Sequence, residues 1–186
     1  MKARQQTSFL FDLDGTLVDS VYDHVLAWHD ALQEVGIEVS VWRLHRRIGM
    51  SGGLFTKALA HETGQEFSAG ILEKLRALHA KYYGARSMRT RPLPGAQELL
   101  AYLTDNKIPW AIATSGRIET AGPVLKILGV DPAKNVVITR DLVRYAKPDP
   151  DLFLAAAEKL GTDITSACVV GDSIWDMLAA QRARAL

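Results

Sequence analysis

The segment Ser8-Phe9-Leu10-Phe11-Asp12-Leu13-Asp14-Gly15-Thr16 decides the fold of this 186-residue chain. Its first four residues are mostly apolar and aromatic, which is typical of a buried β-strand, and the polar run from Asp12 predicts the end of that strand. Three further apolar runs, at 109–113, 135–139 and 167–170, predict three more strands, and helical patterns lie between them. Strands that alternate with helices form parallel βαβ units. The sequence therefore predicts an α/β fold around a four-stranded parallel sheet.

The stretch between the first two predicted strands has only helical patterns. Apolar residues recur there at helical spacing at positions Val21, Val25, Trp28, Leu32 and Val35, and similar patterns cover 41–47, 54–62 and 71–83. The segment 84–94 contains a glycine, three arginines and two prolines, which predicts that the helices end at Gly84 and that a linker follows. We therefore predict a core built from residues 1–18 and 92–186, with an all-helical domain inserted at 19–91.

Composition excludes several classes of protein. Lys and Arg number 22 and Asp and Glu number 21, so the net charge of +1 gives no long-range field to attract nucleic acid or an anionic membrane. The single Cys168 permits neither an internal disulfide nor a zinc cluster, which favours a reducing compartment and hence a cytoplasmic location. No apolar stretch reaches the roughly 18 residues that a membrane span needs.

Polar residues follow each predicted strand, at the edge where open parallel sheets bind their ligands. They are Asp12 and Asp14 after the first strand, Thr114, Ser115 and Gly116 after the second, Lys147 after the third, and Asp172 after the fourth. Two carboxylates about 4 Å apart repel by roughly 4 kcal/mol at an effective dielectric of about 20, so three of them need a cation. Carboxylate oxygens favour Mg²⁺, and no Cys or His lies near these loops to favour a softer metal.

The same loops favour phosphate chemistry. The hydroxyls of Thr114 and Ser115 and the backbone N–H groups near Gly116 suit an anion. An aspartate can attack phosphorus while a second acid protonates the leaving oxygen, and Asp12 and Asp14, two apart in an extended segment, would point the same way. For Asp14 to hold a proton at neutral pH, we expect burial or neighbouring carboxylates to raise its pKa.

Four sequence motifs, in this order along the chain, resemble those of the haloacid dehalogenase superfamily. They are Phe11-Asp12-Leu13-Asp14-Gly15-Thr16-Leu17-Val18-Asp19-Ser20, Ala113-Thr114-Ser115-Gly116, Lys147-Pro148-Asp149-Pro150 and Val170-Gly171-Asp172-Ser173-Ile174-Trp175-Asp176. The resemblance is to the branch of phosphoglycolate phosphatase-like and β-phosphoglucomutase-like proteins, and it runs from the first strand almost to the last residue. It implies a Rossmann-like core with an inserted helical cap.

The resemblance also implies residue roles. Asp12 would be the nucleophile and a Mg²⁺ ligand, and Asp14 the general acid and base as well as a metal ligand through its backbone carbonyl. Thr114 and the Ser115 amide would bind phosphate, and Lys147 would balance the charge on Asp12. Asp172 would complete the metal site, and Asp176 would orient Lys147 or a metal-bound water. The implied activity is phosphomonoester hydrolysis of a small phosphorylated metabolite, such as phosphoglycolate or a sugar phosphate.

Two alternatives stay open at this point. His24 and Trp28 resemble cap positions of β-phosphoglucomutase, but the loop 49–53 has glycine where that mutase places an arginine for the distal phosphate, which makes mutase activity the weaker interpretation. The packing interpretation of His24 and Trp28 is the simpler one. The second alternative is a catalytically silent chain that binds phosphate or a partner without turnover.

The end of the sequence raises a separate expectation. The resemblance predicts one more strand and helix after the last helix, so the last core strand looks missing. The strand that carries Asp172 would then have an unpaired edge, and we expect a monomer or a weak oligomer through that edge.

Overall fold

The computed structural model describes residues 7–186, so positions 1–6 of the predicted core lie outside the described residues. Within these residues, eight α-helices and four strands follow one another in the predicted order, with five helices between the first two strands and one after each of the other three. The bounds of each follow. The strands are β1 (Ser8–Phe11), β2 (Trp110–Ala113), β3 (Val136–Ile138) and β4 (Ala167–Val170). The helices are α1 (Val21–Glu34), α2 (Val41–His45), α3 (Gly52–Thr63), α4 (Ala69–Ser87), α5 (Ala96–Asp105), α6 (Ile118–Leu128), α7 (Asp151–Leu160) and α8 (Ile174–Ala183).

The four strands form one parallel sheet in the order β3-β2-β1-β4, which confirms the predicted α/β, Rossmann-like architecture. In the register of the sheet, Phe11 at the end of β1 lies opposite Ile112 and Val170. Leu10 packs into the apolar cluster of α7 and α8, while Phe11 packs into the cluster of α5 and α6 on the opposite face. Because helices cover both faces of the sheet, a ligand can approach it at the polar loops that follow the carboxyl ends of the strands.

Strand β4 lies at the outer position of the described sheet, as predicted. Its edge is partly occupied, because the N–H of Leu186 donates to the carbonyl of Ala167 and the N–H of Val169 donates to the carbonyl of Leu186, both at 2.9 Å. The expectation of unpaired backbone groups is therefore wrong at Ala167 and Val169. The chain turns back after α8, where Arg184 adopts a left-handed conformation, and this turn brings Leu186 alongside β4.

Helices α1–α4, which we call the helical insertion, share an apolar cluster of their own. Its buried members are Val25, Trp28, Ala31, Leu32, Ile37, Val39, Leu44, Phe55, Leu59, Leu75 and Leu78. None of the helices within residues 7–186 combines the length and apolarity that crossing a bilayer requires.

The predicted linker at 84–94 is partly wrong. Helix α4 continues through Gly84 to Ser87, because Tyr83 and Ser87 are buried on its packed side and the Ser87 hydroxyl donates to the Gly84 carbonyl at 3.1 Å. Beyond the helix, the returning chain pairs with the outgoing one. The N–H of Asp19 donates to the carbonyl of Arg91, and Val18 bridges Pro92 in antiparallel fashion. The segment that leaves the sheet for the insertion and the segment that returns from it are thus hydrogen-bonded to each other.

Candidate active site

A cavity of about 550 Å³ lies between the carboxyl edge of the sheet and the helical insertion. The predicted residues Asp12, Asp14, Thr114 and Ser115 line its floor, and the opposite wall belongs to α1, α3, α4 and the loop before α3. Parallel strands bring their carboxyl ends to one edge, which is why residues more than 100 positions apart in sequence meet here. Lys147 and Asp176 lie beneath Asp12, fully buried.

Lys147 is held between two carboxylates. Its ammonium hydrogen-bonds Asp12 Oδ1, and its Nζ lies 2.7 Å from Asp176 Oδ1 and 5.1 Å from the centroid of the Phe153 ring. Burial alone would lower the pKa of Lys147, but the two carboxylates outweigh burial and raise it above its usual value. Lys147 therefore stays charged and lies where its ammonium offsets negative charge on Asp12 and Asp176.

Asp12 is buried at the end of β1, with 5% of its surface exposed. Burial is the main cause that raises its pKa to about 8, the carboxylates of Asp176 and Asp14 raise it further, and Lys147 acts in the opposite direction. One ammonium is thus too little positive charge to keep this carboxylate fully ionised at neutral pH. A further cation beside Asp12 would favour the ionised form.

The pKa of Asp14 was expected to be raised, but in the structure it is lowered, so this expectation is wrong. Burial acts to raise the pKa, but His24 and Ser20 stabilise the ionised carboxylate. The Ser20 hydroxyl donates to Asp14 Oδ1 at 2.6 Å, and His24 Nε2 lies 3.3 Å from the same oxygen. These two donors could not be placed from the sequence, because both act through the folded geometry at the start of α1.

Asp172 and Asp176 stand at the start of α8. The N–H and hydroxyl of Ser173 donate to Asp176 Oδ2 at 3.1 and 2.5 Å, and this capping box fixes Asp176 so that its other oxygen meets Lys147. Asp172 is exposed and accepts a 3.4 Å hydrogen bond from Thr16. Burial and the charge of Asp176 raise the pKa of Asp172.

The carboxylates fit a hard divalent cation. Oxygens of Asp12, Asp172 and Asp176 lie within 4.8 Å of one another. Both oxygens of Asp176 are engaged, Oδ1 with Lys147 and Oδ2 with Ser173, whereas Asp12 contacts Lys147 through Oδ1 and Asp172 is exposed. Asp12 and Asp172 are therefore the better-placed side-chain ligands, and they are the two that the resemblance names. Burial is the main cause of the raised pKa of both carboxyls and neighbouring carboxylates add to it, and a cation would oppose both effects by favouring the ionised forms.

The loop after β2 is tied to the helical insertion. The Thr114 hydroxyl accepts from the N–H of Gly116 at 2.9 Å, which shapes the loop, and the Ser115 hydroxyl donates to the carbonyl of Gly49 at 2.9 Å. The N–H of Ser51 in turn donates to the carbonyl of Lys147 at 2.9 Å. With its hydroxyl bonded to the insertion, Ser115 can offer its amide to a ligand, which is the group the resemblance implies.

Sequence reasoning missed one histidine of the cavity wall. His24 and Trp28, which the sequence singles out by resemblance, line the cavity and also pack, and His79 from α4 lies beside them. The sequence signal for His79 is its spacing of four residues from Tyr83, which puts the two side chains on one helical face. Four arginines also line the cavity, namely Arg47, Arg76, Arg117 and Arg140.

Comparisons with known proteins agree with this geometry. The chain is 34% identical over 180 residues to the phosphoglycolate phosphatase of Neisseria meningitidis serogroup A, a match that covers 95% of this chain and 76% of the relative. It is 34% identical over 167 residues to hexitol phosphatase A of Escherichia coli, covering 89% and 74% of the two chains. A crystal structure of a hydrolase from Pseudomonas syringae superposes with a TM-score of 0.95 at 53% identity, covering 97% of this chain and 82% of that one.

The family model of haloacid dehalogenase-like hydrolases matches residues 7–184, and thus both the sheet with its carboxylate edge and the helical insertion. The chain therefore belongs to the haloacid dehalogenase-like hydrolase family.

Proposed function

We propose that this hydrolase is a Mg²⁺-dependent phosphatase that cleaves a small phosphorylated metabolite, of the phosphoglycolate or sugar phosphate type, through an aspartyl phosphate on Asp12. The observation that carries the proposal is the buried Asp12–Lys147–Asp176 group at the floor of a cavity that also contains Thr114 and Ser115. The relatives named phosphoglycolate phosphatase and hexitol phosphatase support the same class of substrate.

In the proposed reaction, a carboxylate oxygen of Asp12 attacks phosphorus and the bond from phosphorus to the ester oxygen breaks. Asp14 gives its proton to that leaving oxygen, so the first product is an alcohol. Asp14 then takes a proton from water, the water oxygen attacks phosphorus, and the bond to Asp12 breaks to release inorganic phosphate. Ester and water thus yield alcohol and phosphate, and both aspartates are regenerated.

The ionisation states suit these roles once a substrate is bound. Burial raises the pKa of Asp12 to about 8, and Lys147 together with a bound Mg²⁺ would favour the carboxylate form that attack requires. Asp14 begins as a carboxylate, and the negative charge of a phosphate beside it favours the uptake of the proton that it must donate. Asp12, Asp172 and the Asp14 carbonyl would hold Mg²⁺, which would supply positive charge to the phosphoryl oxygens.

We propose further that the helical insertion, predicted at 19–91, acts as a cap that excludes water and selects the substrate. The cavity wall contains Gly52 and Gly53, with no arginine at those positions, which favours a phosphatase over a β-phosphoglucomutase type of phosphosugar mutase. A cytoplasmic location, the lack of a nucleic-acid partner and the monomer or weak oligomer stay predictions.

The test is a phosphatase assay on an aryl phosphate and a panel containing phosphoglycolate, hexitol phosphates and hexose phosphates. We expect Mg²⁺-dependent release of phosphate that EDTA abolishes and that Asp12→Asn lowers to background. Asp105→Asn, an exposed position at the end of α5, is the matched control and should retain activity. Activity in Asp12→Asn equal to wild type would overturn the mechanism. Phosphate binding without any turnover would assign the catalytically silent alternative.

A further inference from the structure

Four aromatic rings from α1 and α4 pack together in the cavity wall beside Asp14. The ring of His24 stacks on Tyr83 with 3.8 Å between centroids, and the ring of His79 stacks on Trp28 with 4.2 Å between centroids. Trp28 is itself buried against Phe55. Each imidazole is thus held against the face of a neighbouring ring, which fixes the plane of that imidazole and the directions in which its nitrogens point.

The two imidazoles form a hydrogen-bonded chain that ends on the predicted general acid. His79 Nε2 lies 3.1 Å from His24 Nδ1, and His24 Nε2 lies 3.3 Å from Asp14 Oδ1. Two residues of the helical insertion are therefore connected in series to a residue of the sheet's carboxyl edge.

The donors and acceptors in this chain can be assigned from their partners. An ionised carboxylate only accepts hydrogen bonds, so His24 must donate to Asp14 through Nε2–H. In a neutral imidazole the other nitrogen is then an acceptor, and His24 Nδ1 needs a donor. His79 Nε2–H is the group within reach. Burial is the main cause that lowers the pKa of His79 well below its usual value, which keeps His79 neutral with one N–H to give.

We propose that His79 is a positioning residue for the reaction assigned above, because its hydrogen bond fixes the tautomer and the orientation of His24 and thereby the hydrogen bond from His24 to the Asp14 carboxylate. The inference rests on the proposed phosphatase function. Without the donor from His79, the His24 imidazole can adopt the other tautomer, in which Nε2 has no proton to donate to Asp14.

Two substitutions separate positioning from packing. Gln places an amide N–H near the position of His79 Nε2, whereas Leu fills similar space without a donor. One net hydrogen bond corresponds to a change of about tenfold or less, so we expect His79→Leu to lower kcat by about tenfold and His79→Gln by less than about threefold. KM should stay within about twofold in both variants if the hydrogen bond acts on Asp14 and not on substrate binding.

A double-mutant cycle with His24→Leu provides the second readout. If His79 acts only through His24, adding His79→Leu to His24→Leu should lower kcat by less than about twofold more. His29→Leu, a substitution of another histidine of α1 that is outside the cavity, is the matched control and should leave kcat at the wild-type value. Thermal unfolding of every variant, followed by circular dichroism, identifies variants that are not folded at the assay temperature.

The outcomes are distinct. A wild-type chain that hydrolyses no phosphomonoester overturns the proposed function, and the positioning role with it. An active wild-type chain in which His79→Leu and His79→Gln have equal kcat, or in which the two Leu substitutions are additive, overturns the positioning role alone. A folded His79→Leu variant with low kcat, a Gln variant that retains most of it, and a non-additive cycle would together support it.

Discussion

Replacing Lys147 by Met should destabilise the fold in a way that depends on pH. Lys147 has no exposed surface and contacts the carboxylates of Asp12 and Asp176. Met has a similar length and can fill the space against Phe153, so the main loss is the positive charge. Removing one partner of a buried ion pair costs about 3–5 kcal/mol, because the remaining charges are left uncompensated in a medium of low dielectric.

The direction of the pH dependence follows from the carboxyl of Asp12, which loses its ammonium partner in the variant. Asp12 already has a pKa of about 8 with Lys147 present, and losing the ammonium raises it further. In the variant, the folded state therefore holds protons that the unfolded state releases near pH 4. Wild type holds the same proton up to about pH 8, so this linkage cancels from the difference between the two proteins below that pH. Above it, Asp12 ionises in the folded wild type but not in the folded variant, so the penalty should grow as pH rises past about 8.

The assay is urea unfolding of wild type and Lys147→Met at about pH 6 and about pH 9, on either side of the Asp12 pKa. At about 2–4 °C per kcal/mol for a domain of this size, the expected loss at the higher pH also corresponds to a fall in Tm of about 6–20 °C. Lys159→Met on the exposed end of α7 is the control and should change the free energy of unfolding by less than about 0.5 kcal/mol. A penalty below about 1 kcal/mol at the higher pH, or one of equal size at both pH values, would refute the reasoning.

Three further predictions concern glycines and His79. Gly84→Ala, inside α4 with no atom within 4 Å of the added Cβ, should raise the free energy of unfolding by about 0.5–1 kcal/mol in a urea titration; a decrease would contradict the helical environment. Gly171→Ala would place a Cβ against the Asp176 side chain, so it should cost about 1–3 kcal/mol in the same titration and reduce activity, and full activity would contradict the close approach. Because the pKa of His79 is lowered, wild-type stability should fall as pH drops below about 6.5, and His79→Gln should weaken that fall, as measured by Tm between pH 5 and 7.5.

Much of the fold follows from local sequence. The apolar runs at β1, β2, β3 and β4 are each followed by polar residues, and parallel pairing alone brings those residues to one edge. The close approach of Lys147 to Asp12, 135 positions away, follows from this topology. The termination of helices was less predictable, because Gly84 costs only about 1 kcal/mol in a helix and packing at Tyr83 and Ser87 overcomes it.

Features that depend on tertiary contacts were not predictable. The lowered pKa of Asp14 arises from the hydroxyl of Ser20 and the imidazole of His24, and the orientation of these groups is set by α1 packing on α4. The pairing of Leu186 with β4 depends on a left-handed turn at Arg184, a residue type with no special preference for that conformation.

The bonds from Ser115 to Gly49 and from Ser51 to Lys147 have a kinetic consequence. Both connect the wall of the cavity to its floor, so both must break before the wall can lift for a ligand to exchange with bulk water. At about 0.5–1.5 kcal/mol each, they favour the shut arrangement by about 5- to 150-fold. Product departure would then be gated by the loop at 49–51, and weakening either bond would shorten the residence time of phosphate without altering the aspartates that transfer it.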